Sequence, residues 1–338
     1  MIRLLLLLLL VPGMARAETV FLRSHVLAAS EPVSIDDVVN GWGGDFSPGR
    51  FAFADITTEI GARYQSVEFG YLSRRFFDVS FSRDTSAFYH QLENDGQSTE
   101  EYDLSLTAAA FEGEGLFARG EIDYGGLQIT PGLAFYRVNH YLFGSLSGTA
   151  TASDGTVQLN YYFDEDKILD FPTDGSLGDG FSADVEPGLA VTSDLAVEWQ
   201  GGGVAVLFSA KDLLNRFSFP VAAQTVGCVN IAREGNASCL SSGGVSRENE
   251  LVTHIAPTYE LSVADERSGL ALHALKHDLI KRLGISWAFD AFQLGAYSTR
   301  QVLVSYRSEY VSLALALDDH ELKDVRDADA NIELRLPW

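Results

Sequence analysis

Between residues 310 and 317 the odd positions are Val311, Leu313, Leu315 and Leu317, and the even ones are Ser312, Ala314 and Ala316. A repeat of two sets large apolar side chains on one face of a strand and small or polar ones on the other. The alternation returns at Val157, Leu159, Tyr161 and Phe163, at Ile255, Pro257, Tyr259, Leu261 and Val263, and at Ile285, Trp287 and Phe289. Their opposite faces carry Gln158 and Asn160, Thr258 and Glu260, or Ser286 and Ala288. None of these segments has the spacing of three and four that a helical stripe requires. Strands are predicted near 51–64, 66–81, 101–111, 115–123, 126–137, 139–150, 155–164, 181–192, 194–210, 251–263, 269–277, 280–289, 291–299, 301–307, 310–317 and 329–338.

Such strands suit a soluble sandwich as well as a membrane barrel, and segment length and connection length separate the two. Several segments reach the ~9–11 residues that a tilted strand needs to cross a bilayer. Arg282–Phe289 and Phe292–Ala296 are joined by a tight turn, while Leu213–Glu250 and Asp164–Gly180 read as long Gly-, Ser- and Asp-rich connections. Short turns alternating with long loops mark a barrel whose two ends differ. The predicted fold is all-β, an antiparallel transmembrane β-barrel of about 12–14 strands within a range of about 10–16.

The start of the chain sets the compartment. Met1-Ile2-Arg3 is positive, Leu4 to Val11 is unbroken apolar, and Ala15-Arg16-Ala17 has the small-x-small form of a cleavage site. This is the pattern of a secretory signal peptide over 1–17, cleaved near Ala17. The apolar run is far shorter than the roughly 20 residues of a spanning helix. A composition that is 46% hydrophobic and 11% aromatic argues against disorder. The formal net charge of −23 argues against nucleic acid as a partner, because phosphate is bound by Lys and Arg.

The final segment places Ile332, Leu334, Leu336 and Trp338 on one face and Asn331, Glu333 and Arg335 on the other. It resembles the terminal signature of Gram-negative outer-membrane β-barrel proteins, in which a last alternating strand ends on an aromatic residue. Trp338 stands where Phe is commonest, and Pro337 precedes it. The resemblance implies residence in the outer membrane, contact with its lipid and lipopolysaccharide, and recognition by the barrel assembly machinery. It reaches no particular transporter or enzyme family.

Within that frame the chain divides into 1–17, a segment 18–50 that is either a periplasmic extension or a plug in the lumen, and a barrel over 51–338. Ser34 is placed to cap a short turn through Ile35 and Val39. On 66–81 the outward phase runs through Ser73 and Arg75, and an Arg facing mid-bilayer costs ~2–4 kcal/mol. Ser73–Arg75 therefore belongs at a rim, at a turn or on a strand that projects past the membrane. Arg63, Arg74 and Arg83 then either line the pore mouth or balance nearby acids.

Cys228 and Cys239 are the two cysteines, in a Gly/Ser/Asn-rich stretch, and read as one disulfide in an exported chain. Their spacing suits no zinc site, and neither a metal nor another cofactor is expected. Asp318-Asp319-His320 is the best acid–His grouping, yet it continues into a run of charges that reads as a solvated loop. No catalytic residue is assigned, and Gly201-Gly202-Gly203 reads as a bulge or bend within a strand. Three functions stay open: a passive pore or facilitated transporter of unknown substrate, a structural or assembly partner of an envelope system, and a barrel hydrolase. Counting strands back from the end puts 318–328 and the cysteine loop on the outer side, provided that 291–307 is two strands joined by a turn.

Overall fold

The computed structural model describes residues 18–94, 100–151, 155–163, 186–229 and 245–337. The elements are β1 (Thr19–Ser30), α1 (Ile35–Asn40), β2 (Phe51–Tyr64), β3 (Val67–Phe81), α2 (Arg83–Glu93), β4 (Tyr102–Gly120), β5 (Ile122–Tyr124), β6 (Leu127–Ala150) and β7 (Gly155–Phe163). They continue as β8 (Gly188–Gly201), β9 (Val204–Val229), β10 (Val245–Thr253), β11 (Thr258–Asp265), β12 (Leu270–His277), β13 (Ile280–Phe289), β14 (Phe292–Tyr297), β15 (Val302–Arg307), β16 (Val311–Leu317) and β17 (Asp327–Pro337).

These 17 strands form one antiparallel sheet, and β17 pairs with β1 from Thr19 beside Pro337 to Ala29 beside Asp327. The sheet is thus a closed barrel, with no free edge. It has 14 staves. β5 only lengthens the β4–β6 hairpin; β7 and β8 follow one another between β6 and β9; and β10 and β11 share the stave on the other side of β9.

Within 18–50, the part Thr19–Ser30 is therefore neither a plug nor an extension. Thr19–Ser30 is a stave that seals the cylinder between β2 and β17. Ser34 does cap α1, its hydroxyl accepting from the Asp37 amide. The sequence hid β1 because both its faces are mixed: Phe21, Arg23, His25 and Leu27 point one way, and Val20, Leu22, Ser24 and Val26 the other.

The outside is greasy and the inside polar, the reverse of a soluble domain. On β2, Phe53, Asp55, Thr57 and Glu59 are buried, while Ile56 between them and Ile60 just past them are 36% and 47% exposed. Leu22, Leu315, Ile332, Leu334 and Leu336 are likewise exposed. A continuous belt of this kind is stable only against lipid. Asn331 and Glu333 alternate with it on the inner face, as the predicted two faces of the last strand require; Trp338 lies outside the described residues.

The two ends differ. At one, which we call the turn end, lie the start of β1, the end of β17 and the short connections 65–66, 202–203, 266–269, 290–291 and 308–310. Gly202 and Gly203 have φ of +65° and +85°, so they form a two-residue hairpin between β8 and β9 and not a bend within one strand. Trp287, Phe289, Phe292 and Tyr306 stack in sequence near this end, with centroids 5.4, 6.0 and 5.2 Å apart, in the manner of an interfacial aromatic girdle. At the opposite loop end lie 31–50, 82–94, 100–101, 318–326 and the end of β9 that carries Cys228. Cys239 and the connection Asp164–Gly180 lie outside the described residues.

Residues 291–307 form two strands joined at 298–301, as the strand count requires, and β16 runs toward the loop end. Other boundaries differ. The segments 101–111 and 115–123 are one strand of 19 residues, 126–137 and 139–150 are one of 24, and β9 continues to Val229.

The barrel wall is of unequal height, since β12 to β16 hold only 6–10 residues each. On the tall side β3 is unbroken through Arg75, whose exposed side chain pairs on the outer face with Glu112 at 3.1 Å. Beyond that pair, on the same face of β4, Leu104 packs with Phe88 of α2, Ala150 and Val157. A strand whose outer face is covered by a helix has left the lipid, so Arg75 sits at a rim with the strand projecting past it.

Candidate functional site in the barrel lumen

Inward side chains on wide barrels normally leave a water-filled channel. Here they meet across the lumen. Arg74 of β3 is fully buried, and its guanidinium donates to Asp55 from Nε at 2.9 Å and Nη2 at 2.8 Å, and to Asp212 from Nη1 at 2.8 Å and Nη2 at 2.7 Å. Lys211 Nζ donates to Asp55 at 2.8 Å and to the Thr57 hydroxyl at 2.9 Å. Two cations and two carboxylates make a neutral quartet that ties β2 and β3 to β9.

Two consecutive residues of one strand should face opposite ways. Lys211 and Asp212 both reach the lumen because the β8–β9 register slips between Ser193 and Leu195, and Asp212 adopts φ +57°, a left-handed conformation that Asp tolerates.

On the loop-end side of this quartet lies an aromatic layer. The Arg74 guanidinium carbon sits 5.2 Å from the Phe76 ring centre and 5.6 Å from that of Phe111, and Phe111 packs on Phe217 at 4.7 Å. Tyr141 packs on Phe219 at 4.1 Å. His277, at the tip of β12, lies 4.4 Å from the ring of Phe53 on the opposite wall; its Nε2 is 3.3 Å from Asp78, and its Nδ1 is 2.8 Å from the Thr258 hydroxyl.

Toward the turn end the lumen is charged. Arg119 donates to both oxygens of Glu59, at 2.7 and 2.5 Å. Arg23 links Glu68 at 2.9 Å with Glu333 at 2.7 Å. Arg63 pairs with Glu121 beside the 65–66 turn.

The three arginines singled out in the sequence are thus not gathered at one mouth. Arg63 is at the turn end, Arg74 is in the closed centre, and Arg83 is an exposed first residue of α2 at the loop end. Arg63 and Arg74 each balance acids, the plainer of the two readings.

A second buried arginine was not foreseen. Arg282 of β13 donates from Nη1 to Asp329 at 2.9 Å and from Nη2 to Asp327, and its guanidinium carbon lies 5.5 Å from the Tyr297 ring centre. The available signal was phase: Leu283, Ile285 and Trp287 face out, so Arg282 must face in. On the loop-end side of Arg282 is a cavity of about 530 Å³ bordered by Ser30, Lys281, Asp318 and Asp327. On the other side is a chamber of about 90 Å³ bordered by Glu260, His273, Tyr297 and Asp329.

His320 stands on the β16–β17 loop with its side chain 90% exposed and Asp319 as its ionic neighbour at 3.1 Å. The amide of Glu321 holds the Asp319 carboxyl below the usual range, with His320 contributing. Among the described residues no group of three or more His, Cys, Asp or Glu is placed to hold a metal ion.

Closed barrel, greasy belt and polar lumen together define an outer-membrane β-barrel fold. No family profile matches the chain, and no curated protein matches it. Among solved structures it is similar to the CymD monoaromatic hydrocarbon channel, at 7% identity and a TM-score of 0.29 over 96% of this chain and 89% of that one. It is also similar to a BenF-like porin from Pseudomonas fluorescens Pf-5, at 8% identity and a TM-score of 0.18 over 95% and 99%. The third is OccK1 (OpdK) of Pseudomonas aeruginosa, at 9% identity and a TM-score of 0.15 over 96% and 100%. None of these likenesses assigns a role to any residue here.

Proposed function

We propose that this chain is an outer-membrane channel for small polar solutes, closed at rest, with its loop end at the cell surface and its turn end in the periplasm. The observation that carries the reading is the lumen, which is lined by charge from Arg282 to Arg63 and, among the described residues, obstructed by side chains of the wall itself. Obstructions of that kind open by rotamer changes without unfolding a stave. The longest connections gathered at one end support the orientation. In this reading the segment 1–17 is removed near Ala17, the assembly machinery engages Ile332, Leu334, Leu336 and Trp338, and lipid and lipopolysaccharide contact the belt. Cys228 and Cys239 form a disulfide at the cell surface.

The second reading, a sealed barrel serving as a scaffold in the envelope, is favoured by one observation, the fully satisfied Arg74 quartet. Potassium flux from vesicles reconstituted with the whole chain separates the two. Flux above that of protein-free vesicles is expected, and flux no greater than theirs contradicts the channel.

A further inference from the structure

The closed lumen has one weak place. Arg74 makes four hydrogen bonds to two carboxylates that are themselves buried, and it lies against the rings of Phe76 and Phe111. Arg282 is as deeply buried, with 1% of its side chain exposed, but it is held less completely. Its Nε has no acceptor among the described residues, and Asp329 keeps 27% of its side chain open to solvent. A buried donor without a partner costs ~1–3 kcal/mol, so this arginine is the less firmly seated of the two.

Its position matters more than its strength. Asp327 borders the larger cavity on the loop-end side, and Arg282, with Asp329, borders the smaller chamber on the turn-end side. The Arg282–Asp327 pair is thus the wall between two solvent-accessible spaces. In the larger cavity the hydroxyl of Ser30, 6% exposed, has no partner among the described residues. In the smaller one Glu260 points inward from β11 and is solvent-exposed, with no ion pair to any described residue. An unpaired carboxylate enclosed by a barrel wall is a place for a cation.

We infer that the solute path of this barrel runs off-centre through these two spaces, that Arg282 is its gate, and that it takes small monovalent cations, with Glu260 as the selecting carboxylate. This rests on the channel reading above and names its solute class. When the guanidinium swings away, Arg50, Lys281 and Arg326 share the larger cavity with acids that include Asp318 and Asp327, whereas the smaller chamber keeps only Glu260 and Asp329 as charged lining, with His25 against Asp329 at 3.3 Å. Two acids facing one another in the narrow chamber, with its one lining cation displaced, repel chloride and concentrate potassium there.

The test is planar-bilayer recording of the whole chain in asymmetric potassium chloride, with wild type, Arg282→Ala and Glu260→Gln, each first shown to be folded by its heat-dependent shift on gels. Arg282→Ala should lengthen openings and raise the potassium-to-chloride permeability ratio at least about twofold, and Glu260→Gln should lower that ratio by a similar factor with opening times unchanged. Should Arg282→Ala not assemble, Glu260→Gln decides alone. A conducting wild type whose ratio is unmoved by Glu260→Gln, or whose openings are unmoved by Arg282→Ala, overturns the gate and leaves the channel standing. Silence of wild type and both variants overturns the channel itself.

Discussion

Arg74 on β3 and Asp212 on β9 are 138 residues apart and joined by two hydrogen bonds, at 2.8 and 2.7 Å, through the middle of the lumen. Both are buried, so neither charge can be removed alone without stranding the other. Arg74→Met leaves Asp55 and Asp212 with only Lys211 and is expected to cost ~3–5 kcal/mol. Urea unfolding of the detergent-folded barrel, followed by tryptophan fluorescence, should show this as a lower midpoint. Arg74→Met combined with Asp212→Asn should cost less than the sum of the single changes, and strict additivity would mean that the pair is not coupled.

The outward belt makes a prediction about sidedness within one strand pair. Leu315→Arg places a charge on the lipid face and should disfavour insertion by as much as ~2–4 kcal/mol at mid-bilayer depth. Asn331→Arg, on the inner face of the neighbouring β17, should insert normally. The folded fraction in lipid vesicles reads both, and equal defects would contradict the assignment of faces.

The hairpin at Gly202 and Gly203 depends on two positive φ angles. Replacing both by Val should strain the turn by ~1–2 kcal/mol per residue and slow assembly. Gly202→Asn should fold normally, because Asn adopts this conformation in such turns. A Val-Val variant that assembles at the wild-type rate would show that the β8–β9 register is set elsewhere.

Orientation is open to a direct probe. An epitope between Asp45 and Phe46, at the loop end, should be reached by antibody on intact cells. One between Asp123 and Tyr124, at the turn end, should be reached only after the outer membrane is permeabilised. The opposite pattern would invert the barrel.

The exterior was far more legible in the sequence than the lumen. Where one face is wholly apolar, as in Val311 to Leu317 and Ile332 to Leu336, alternation alone locates strand and face. β1 and the part of β9 beyond Ala210 escaped for physical reasons: β1 mixes polar and apolar side chains on both faces, and the slip at Asp212 shifts the phase of β9 partway along. The inward phase did mark Glu260, and applied to Leu283 and Ile285 it would have marked Arg282. Pairs such as Arg74 with Asp212, or His277 with Asp78, exist only because the sheet closes on itself, and no local pattern encodes which staves face each other across it.

The central claim is a transmembrane barrel whose own walls close it. Single-channel recording of the unmodified chain tests this most directly. With Arg74–Asp212 and Phe111–Phe217 filling the centre and Arg282–Asp327 closing the off-centre spaces, brief openings separated by long closures are expected. A steady, permanently open level would contradict the account, because a lumen crossed by those side chains cannot conduct without interruption.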